Sequence, residues 1–149
     1  MYFWFIFVFG YSALIHANDP YPLDSIEFDV CYNFGCKNTQ KIQFSARQWS
    51  VIDAIFAKPA LSPWLEKQQI RHAIALMEEY SGNRVGTYRD KGGNYPGYDI
   101  SHQQDCIDES TNTRQYLLAL AKRNQLVWHE PVDRKRRIVW LATHWTAVI

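Results

Sequence analysis

Two stretches in the C-terminal half decide how this sequence is interpreted. Residues 104–113 read QDCIDESTNT, and residues 143–149 read THWTAVI. The first has the acidic and small polar residues that begin a helix, and apolar residues at helical spacing continue it to about Arg123. The second stretch is apolar and strand-like. We therefore expect Cys106 in the first turn of a helix, with strands following in the chain.

Cys106 is a candidate nucleophile because of this placement. The positive end of the helix dipole stabilises a thiolate in the first turn, whereas the acids at positions 105, 108 and 109 oppose it. Histidine is a common partner base for a cysteine, and the candidates are His129 and His144. A histidine on a strand beside the helix start suits a Cys–His pair, which favours His144. The alternative is an inert buried thiol and a packed histidine.

The segments DCIDES at 105–110 and HWTAVI at 144–149 resemble the transglutaminase-like cysteine proteinase superfamily. Bacterial members often begin the cysteine helix with a DC-x-D/E sequence and carry a His-Ala-Val-type strand some tens of residues later. The resemblance covers about residues 104–149, and the preceding part agrees only in element order. It implies an α+β, papain-like fold, in which N-terminal helices and the cysteine helix pack on an antiparallel sheet.

The resemblance also implies a chemistry. Cys106 would attack an amide carbonyl of a peptide or protein, and His144 would take the thiol proton and later return it. Gln104 and the Cys106 backbone N–H would form an oxyanion hole. Some relatives bind calcium beside the cysteine; Asp105 fits that pattern and Ile107 does not.

The third member of the family's site is an Asp or Asn on the strand after the histidine. This sequence reaches Ile149, five residues past His144, without such a residue. The substitutes available elsewhere, Asp99, Asp105 and Asp133, are poor. We therefore expect a C-terminally truncated member with an incomplete sheet, or a non-catalytic remnant.

Residues 1–17 form an apolar N-terminal segment. The uncharged run from Tyr2 to Ile15 has the length of a signal-peptide core and is short for a membrane span, and Ala17 is a plausible cleavage position. The absence of a basic residue before Lys37 weakens this interpretation. We expect an export signal and a periplasmic protein with one domain over 18–149; the alternatives are an inner-membrane anchor at residues 2–15 and a buried strand.

The three cysteines divide into a pair and a single residue. Cys31 and Cys36 flank a short stretch with Gly35 and would form a disulfide after export. The rival interpretation is half a zinc site, which would need two more Cys or His ligands. Cys106 is then the remaining thiol.

The remaining elements follow from local patterns. Strands are predicted at 26–30 and 41–44, helices at 46–57 and 64–80 with Gly82 ending the second, and strands at 126–128, 138–141 and 144–149. The glycine-rich segment 82–100 is predicted to be a loop, and the basic run at 133–137 a solvated turn.

The charge balance, 16 Lys and Arg against 15 Asp and Glu, gives no electrostatic signature of nucleic-acid binding. The leading hypothesis is thus an exported cysteine-dependent acyl-transfer enzyme acting on a peptide or protein. A non-enzymatic, envelope-associated binding or structural module is the alternative.

Overall fold

A computed structural model describes residues 25–91, 101–139 and 142–149. The expectations for residues 1–17 and for Asp99 lie outside these ranges. In chain order, the described elements are β1 (Glu27–Tyr32), β2 (Asn38–Gln43), α1 (Ala46–Ile55), α2 (Pro63–Val85), a 3-10 turn (Thr87–Arg89), α3 (Cys106–Lys122), β3 (Val132–Val139) and β4 (Ala142–Val148).

The strands of the described ranges form two separate antiparallel hairpins, β1–β2 and β3–β4. Together with the three helices, they confirm the α+β class. Helix α3 packs against both hairpins, against β1 of the first and against β3 and β4 of the second, and α2 also contacts β2. No helix in the described part is long and apolar enough to cross a membrane.

The core is an aromatic cluster between the first hairpin and the helices. The Phe28 ring lies 4.9 Å from Phe44 and 5.5 Å from Tyr116 of α3, and Phe44 lies 5.4 Å from Trp49 of α1. All four side chains are at most 2% exposed. Burial of each large apolar side chain contributes roughly 1.5–3 kcal/mol, so this cluster anchors α3 to β1.

The helix starts follow from local capping. Ser45 and Gln48 form a reciprocal capping box at α1, and the Ser62 hydroxyl accepts the Leu65 N–H at α2. The predicted end of α2 is wrong, because the helix passes through Gly82 and ends at Gly86, which has φ 98°. A Cβ on Gly82 would lie 3.2 Å from the Tyr88 nitrogen, so that glycine permits close packing of the following turn.

Two further predictions near the C-terminal end are wrong. Residues 126–128 form no strand; the backbone N–H groups of Val127 and Trp128 instead donate to the buried Glu66 carboxylate. The basic run at 133–137 is not a turn, because it lies inside β3 and pairs with β4. Pairing with a partner strand overrode the local charge pattern.

Candidate active site at the start of helix α3

Helix α3 begins at Cys106 because two aspartates cap it. Asp105 accepts the backbone N–H groups of Ile107 at 2.9 Å and Asp108 at 3.0 Å, and Asp108 in turn accepts the Asp105 N–H at 3.0 Å. This reciprocal box fixes Cys106 as the first helical residue, as the sequence predicts. The cysteine is a free thiol and 9% exposed.

A disulfide between Cys31 and Cys36 confirms the predicted pairing. The zinc alternative would need both sulfurs free, and here they are bonded to each other. The disulfide closes the turn between β1 and β2, so their pairing extends to Tyr32 opposite Asn38, beyond the predicted strand ends.

The loop inside the disulfide holds the start of α3. The Cys36 N–H donates to Asp108 Oδ1 at 2.6 Å, the Asn33 N–H donates to the Gln103 carbonyl at 2.7 Å, and the His102 N–H donates to Asn33 Oδ1 at 2.7 Å. Asp108 is fully buried and joins the loop to the helix cap. The disulfide loop is therefore part of the scaffold that positions Cys106.

The structure brings Cys106 to the backbone of the strand that carries His144. The Cys106 sulfur lies 4.0 Å from the carbonyl oxygen of Thr143, the residue before His144. Among the described residues, no hydrogen bond joins the thiol to the His144 ring, and the His144 side chain is exposed. The structure thus brings the thiol to the backbone of β4 and not to the His144 ring.

Acidic groups surround the helix side of this site. Glu109 lies one turn after Cys106; burial and the charge of Asp90 raise its pKa, while the charge of His144 lowers it. Burial also raises the pKa of Asp108, against the opposing hydrogen bonds from the Asp105 and Cys36 N–H groups. His144 is therefore close enough to act electrostatically on the helix of Cys106.

Glu78 of α2 is a further acid that the sequence analysis did not single out. Burial raises its pKa to about 7, and the charge of Glu109 adds to this effect. Shifted acids gather at functional sites more often than elsewhere. The helical spacing of α2 carried no signal for Glu78, because the shift depends on the approach of α3.

Gln104 is buried beside the candidate nucleophile. Its backbone N–H donates to Asp90 Oδ1 at 2.9 Å, and its side-chain Nε2 donates to the Cys31 carbonyl at 3.1 Å. The amide side chain is thus bound to β1. The Cys106 N–H, at the first position of a helix, has no acceptor within that helix.

The other candidate base and the substitute acids have different partners. His129 Nδ1 bonds to Glu66 Oε2 at 2.8 Å, in a cluster at the start of α2. Burial would raise the pKa of Glu66, but donation from the Val127 N–H, the His129 ring and neighbouring N–H groups lowers it overall. Asp133 pairs with Arg114 at 2.8 Å, and Asp105 serves the helix cap.

The chain matches no protein-family model, and neither a curated protein nor a solved structure is significantly similar to it.

Proposed function

We propose that this protein is an exported, cysteine-dependent acyl-transfer enzyme of transglutaminase-like, papain-like architecture. Cys106 is its nucleophile and His144 its general base. The observation that carries the proposal is the position of the Cys106 thiol at the start of α3, 4.0 Å from the carbonyl of the residue next to His144. A helix start and a neighbouring histidine are the two features that make a cysteine nucleophilic.

The chemical steps follow from these two groups. His144 takes the proton of the Cys106 thiol, and the sulfur forms a bond to the amide carbonyl carbon of the substrate. The C–N bond then breaks, and the leaving amine takes the proton from the His144 ring, which leaves a thioester. Water or a second amine attacks the thioester carbonyl, so the outcome is hydrolysis or transamidation, and the thiol regains its proton.

These steps require the His144 ring to reach the Cys106 thiol, to which it forms no hydrogen bond in the substrate-free structure. The His144 ring is exposed, and catalytic hydrogen bonds are often long or poorly aligned before substrate binds. The Cys106 N–H is available to the carbonyl oxygen of the substrate, together with the Gln104 amide if it turns from Cys31. The Cys31–Cys36 disulfide supports export to an oxidising compartment such as the periplasm.

The reactivity of the thiol tests the proposal. Because Cys31 and Cys36 are bonded to each other, iodoacetamide labels only Cys106 in the oxidised protein. We expect faster labelling than that of a simple thiol at neutral pH, and a decrease of about ten-fold in His144→Ala, since loss of the base is typically worth about 10²–10⁴-fold in a full reaction. The labelling rate is measured by mass spectrometry.

The matched control is His72→Ala, which removes an exposed histidine on α2. We expect its labelling rate to equal that of the unaltered protein. Equal rates in His144→Ala as well would contradict the proposal and favour the envelope-associated binding or structural module, in which Cys106 is an inert thiol.

A further inference from the structure

The Cys31–Cys36 disulfide lies beside a buried acid. A carboxylate oxygen of Asp108 and the two sulfur atoms all lie within 4.8 Å of one another. Asp108 is fully buried, and its Oδ1 accepts the Cys36 N–H at 2.6 Å. Because a thiol must lose its proton before its sulfur attacks a disulfide, a carboxylate at this distance can assist thiol–disulfide exchange. The disulfide therefore has a proton acceptor close to both of its sulfurs.

The two sulfurs differ in their exposure to solvent. Cys31 is 3% exposed and lies in β1, whereas Cys36 is half-buried and lies in the loop before β2. The chain neighbours of Cys36, Gly35 and Lys37, are exposed. A thiolate of another molecule can therefore reach the Cys36 sulfur, and the buried Cys31 sulfur is then the leaving group.

The loop that the disulfide closes is held in a strained backbone conformation. Phe34 has φ 61° and Cys36 has φ 55°, in the left-handed region that residues with a Cβ rarely adopt. Gly35 between them, with φ 69°, adopts the same region without this cost. Reduction allows Phe34 and Cys36 to leave this conformation, so the strain favours the reduced form. A strained disulfide is a stronger oxidant than an unstrained one.

The surroundings of Asp108 bring its pKa closer to that of a thiol. Burial raises the pKa of Asp108, while the N–H groups of Asp105 and Cys36 oppose this by donating to the carboxylate. The charge of Asp105 raises it further, and Asp108 in turn raises the pKa of Glu109. Proton transfer between two groups costs less free energy when their pKa values are closer, so the raised pKa suits Asp108 to exchange a proton with a cysteine.

We propose that the Cys31–Cys36 pair is a redox-active site that oxidises a dithiol of another molecule, such as two cysteines of a peptide, and that Asp108 transfers the proton of Cys31. This activity goes beyond the proposed function and does not involve Cys106. It uses a different pair of sulfurs, and its substrate is a dithiol and not an amide.

The steps balance as a two-electron exchange. Both substrate thiols lose their protons to water, and the first thiolate attacks the Cys36 sulfur. The Cys31–Cys36 bond breaks, and its electron pair leaves on the Cys31 sulfur, which takes a proton from the Asp108 carboxyl. The second thiolate attacks the substrate sulfur of the mixed disulfide and expels the Cys36 thiolate, which takes a proton from water. The substrate is oxidised to a disulfide, the cysteine pair is reduced to two thiols, and Asp108 regains its proton from water.

The equilibrium with glutathione tests the redox activity and needs no substitution. The full chain is equilibrated with reduced and oxidised glutathione at the ratio of an oxidising secretory compartment. It is then quenched with iodoacetamide and analysed by mass spectrometry. We expect more than about a tenth of the Cys31–Cys36 pair to be reduced, whereas a structural disulfide resists glutathione. A pair that stays fully oxidised would overturn the inference.

Re-oxidation by glutathione disulfide tests the role of Asp108. In this direction the Cys36 thiolate attacks first, and the Asp108 carboxylate takes the Cys31 proton while the Cys31 sulfur closes the disulfide and expels glutathione. Asp108→Asn keeps an oxygen that can accept the Cys36 N–H, but it cannot take the proton. We expect this variant to close the disulfide about ten-fold more slowly at about pH 7 and to accumulate the mixed disulfide of Cys36 and glutathione.

The pH profile separates proton transfer from a structural effect. The closing rate of Asp108→Asn should rise about ten-fold per pH unit up to the pKa of a free thiol, about 8.5, because Cys31 must then ionise unaided. The rate of the unaltered protein should depend less on pH. Asp105→Asn alters the same helix cap but leaves the acid beside the sulfurs in place, so its closing rate should stay within about two-fold of the unaltered rate. Equal slowing in the two variants, or parallel pH profiles of Asp108→Asn and the unaltered protein, would overturn the role of Asp108.

Discussion

At the residue scale, the least expected group is Glu78 of α2. Its carboxyl is packed where α2 approaches α3, and burial with the nearby charge of Glu109 raises its pKa from 4.5 to about 7. Burial, and then the charge of the same acid, raise the pKa of Tyr116 of α3. An acid on a helix surface is ordinarily exposed, so no pattern in the sequence distinguishes Glu78 from Glu79.

Glu78 makes the fold less stable as the pH rises. Because its pKa is higher in the folded state, the folded protein holds more protons than the unfolded chain between about 4.5 and 7, and stability falls across that window. We expect Glu78→Gln to raise the free energy of unfolding by about 1–3 kcal/mol at pH 8 and to flatten this dependence. Urea unfolding at pH 5 and pH 8 measures both effects.

Glu79→Gln is the matched control, because Glu79 is exposed on the same helix. It should change neither the stability at pH 8 nor its pH dependence. A Glu78→Gln variant with the pH dependence of the unaltered protein would show that Glu78 ionises normally in the folded state.

At the element scale, the parts that the sequence predicted are those with local causes. The starts of α1, α2 and α3 depend on caps at Ser45, Ser62 and Asp105, within three residues of each helix. The predicted end of α2 at Gly82 was wrong, because this end depends on packing against the following turn. The predicted turn at 133–137 was wrong, because these residues pair with β4. The proximity of Cys106 to the strand of His144 was expected from the suitability of a strand histidine for a cysteine at a helix start and from the family resemblance, since no local spacing relates the two residues.

The prediction at the element scale concerns the loop closed by the Cys31–Cys36 disulfide. We expect Cys31→Ser with Cys36→Ser to lose about 2 kcal/mol of stability, the value for closing so short a loop. The start of α3 should also loosen, because the Cys36 N–H bond to Asp108 depends on the loop conformation. Thermal unfolding measures the first effect, and amide hydrogen exchange of residues 105–109 measures the second.

A reducing agent provides the internal control for this variant. Dithiothreitol should destabilise the unaltered protein to the level of the double serine variant and leave that variant unchanged. If the variant is as stable as the oxidised protein, the hydrogen bonds of the loop alone hold the start of α3.

At the scale of the whole molecule, α3 connects two packing units. On one side it joins the aromatic core through Tyr116, and on the other it carries the β3–β4 hairpin with His144. The hairpin has fewer apolar contacts with the core, mainly Ala147 and Ile149. Its position relative to Cys106 therefore depends on polar contacts, of which those of Arg134 are the most numerous among the described residues of the hairpin.

Arg134 should thus fix the position of the β3–β4 hairpin relative to the start of α3. Its guanidinium binds the first turns of α3 and lies 5.2 Å from the centre of the Trp145 ring. We expect Arg134→Ala to cost about 1–2 kcal/mol of stability and to speed amide exchange in β3 and β4 while the β1–β2 hairpin stays protected. Arg136→Ala, which removes a cation without such contacts, should change neither quantity. Equal protection of β3 and β4 in the two variants would show that apolar packing alone positions the hairpin.

If Arg134 positions the hairpin, Arg134→Ala should also reduce the dependence of Cys106 labelling on His144, since the strand that carries the histidine is then no longer fixed beside the start of α3.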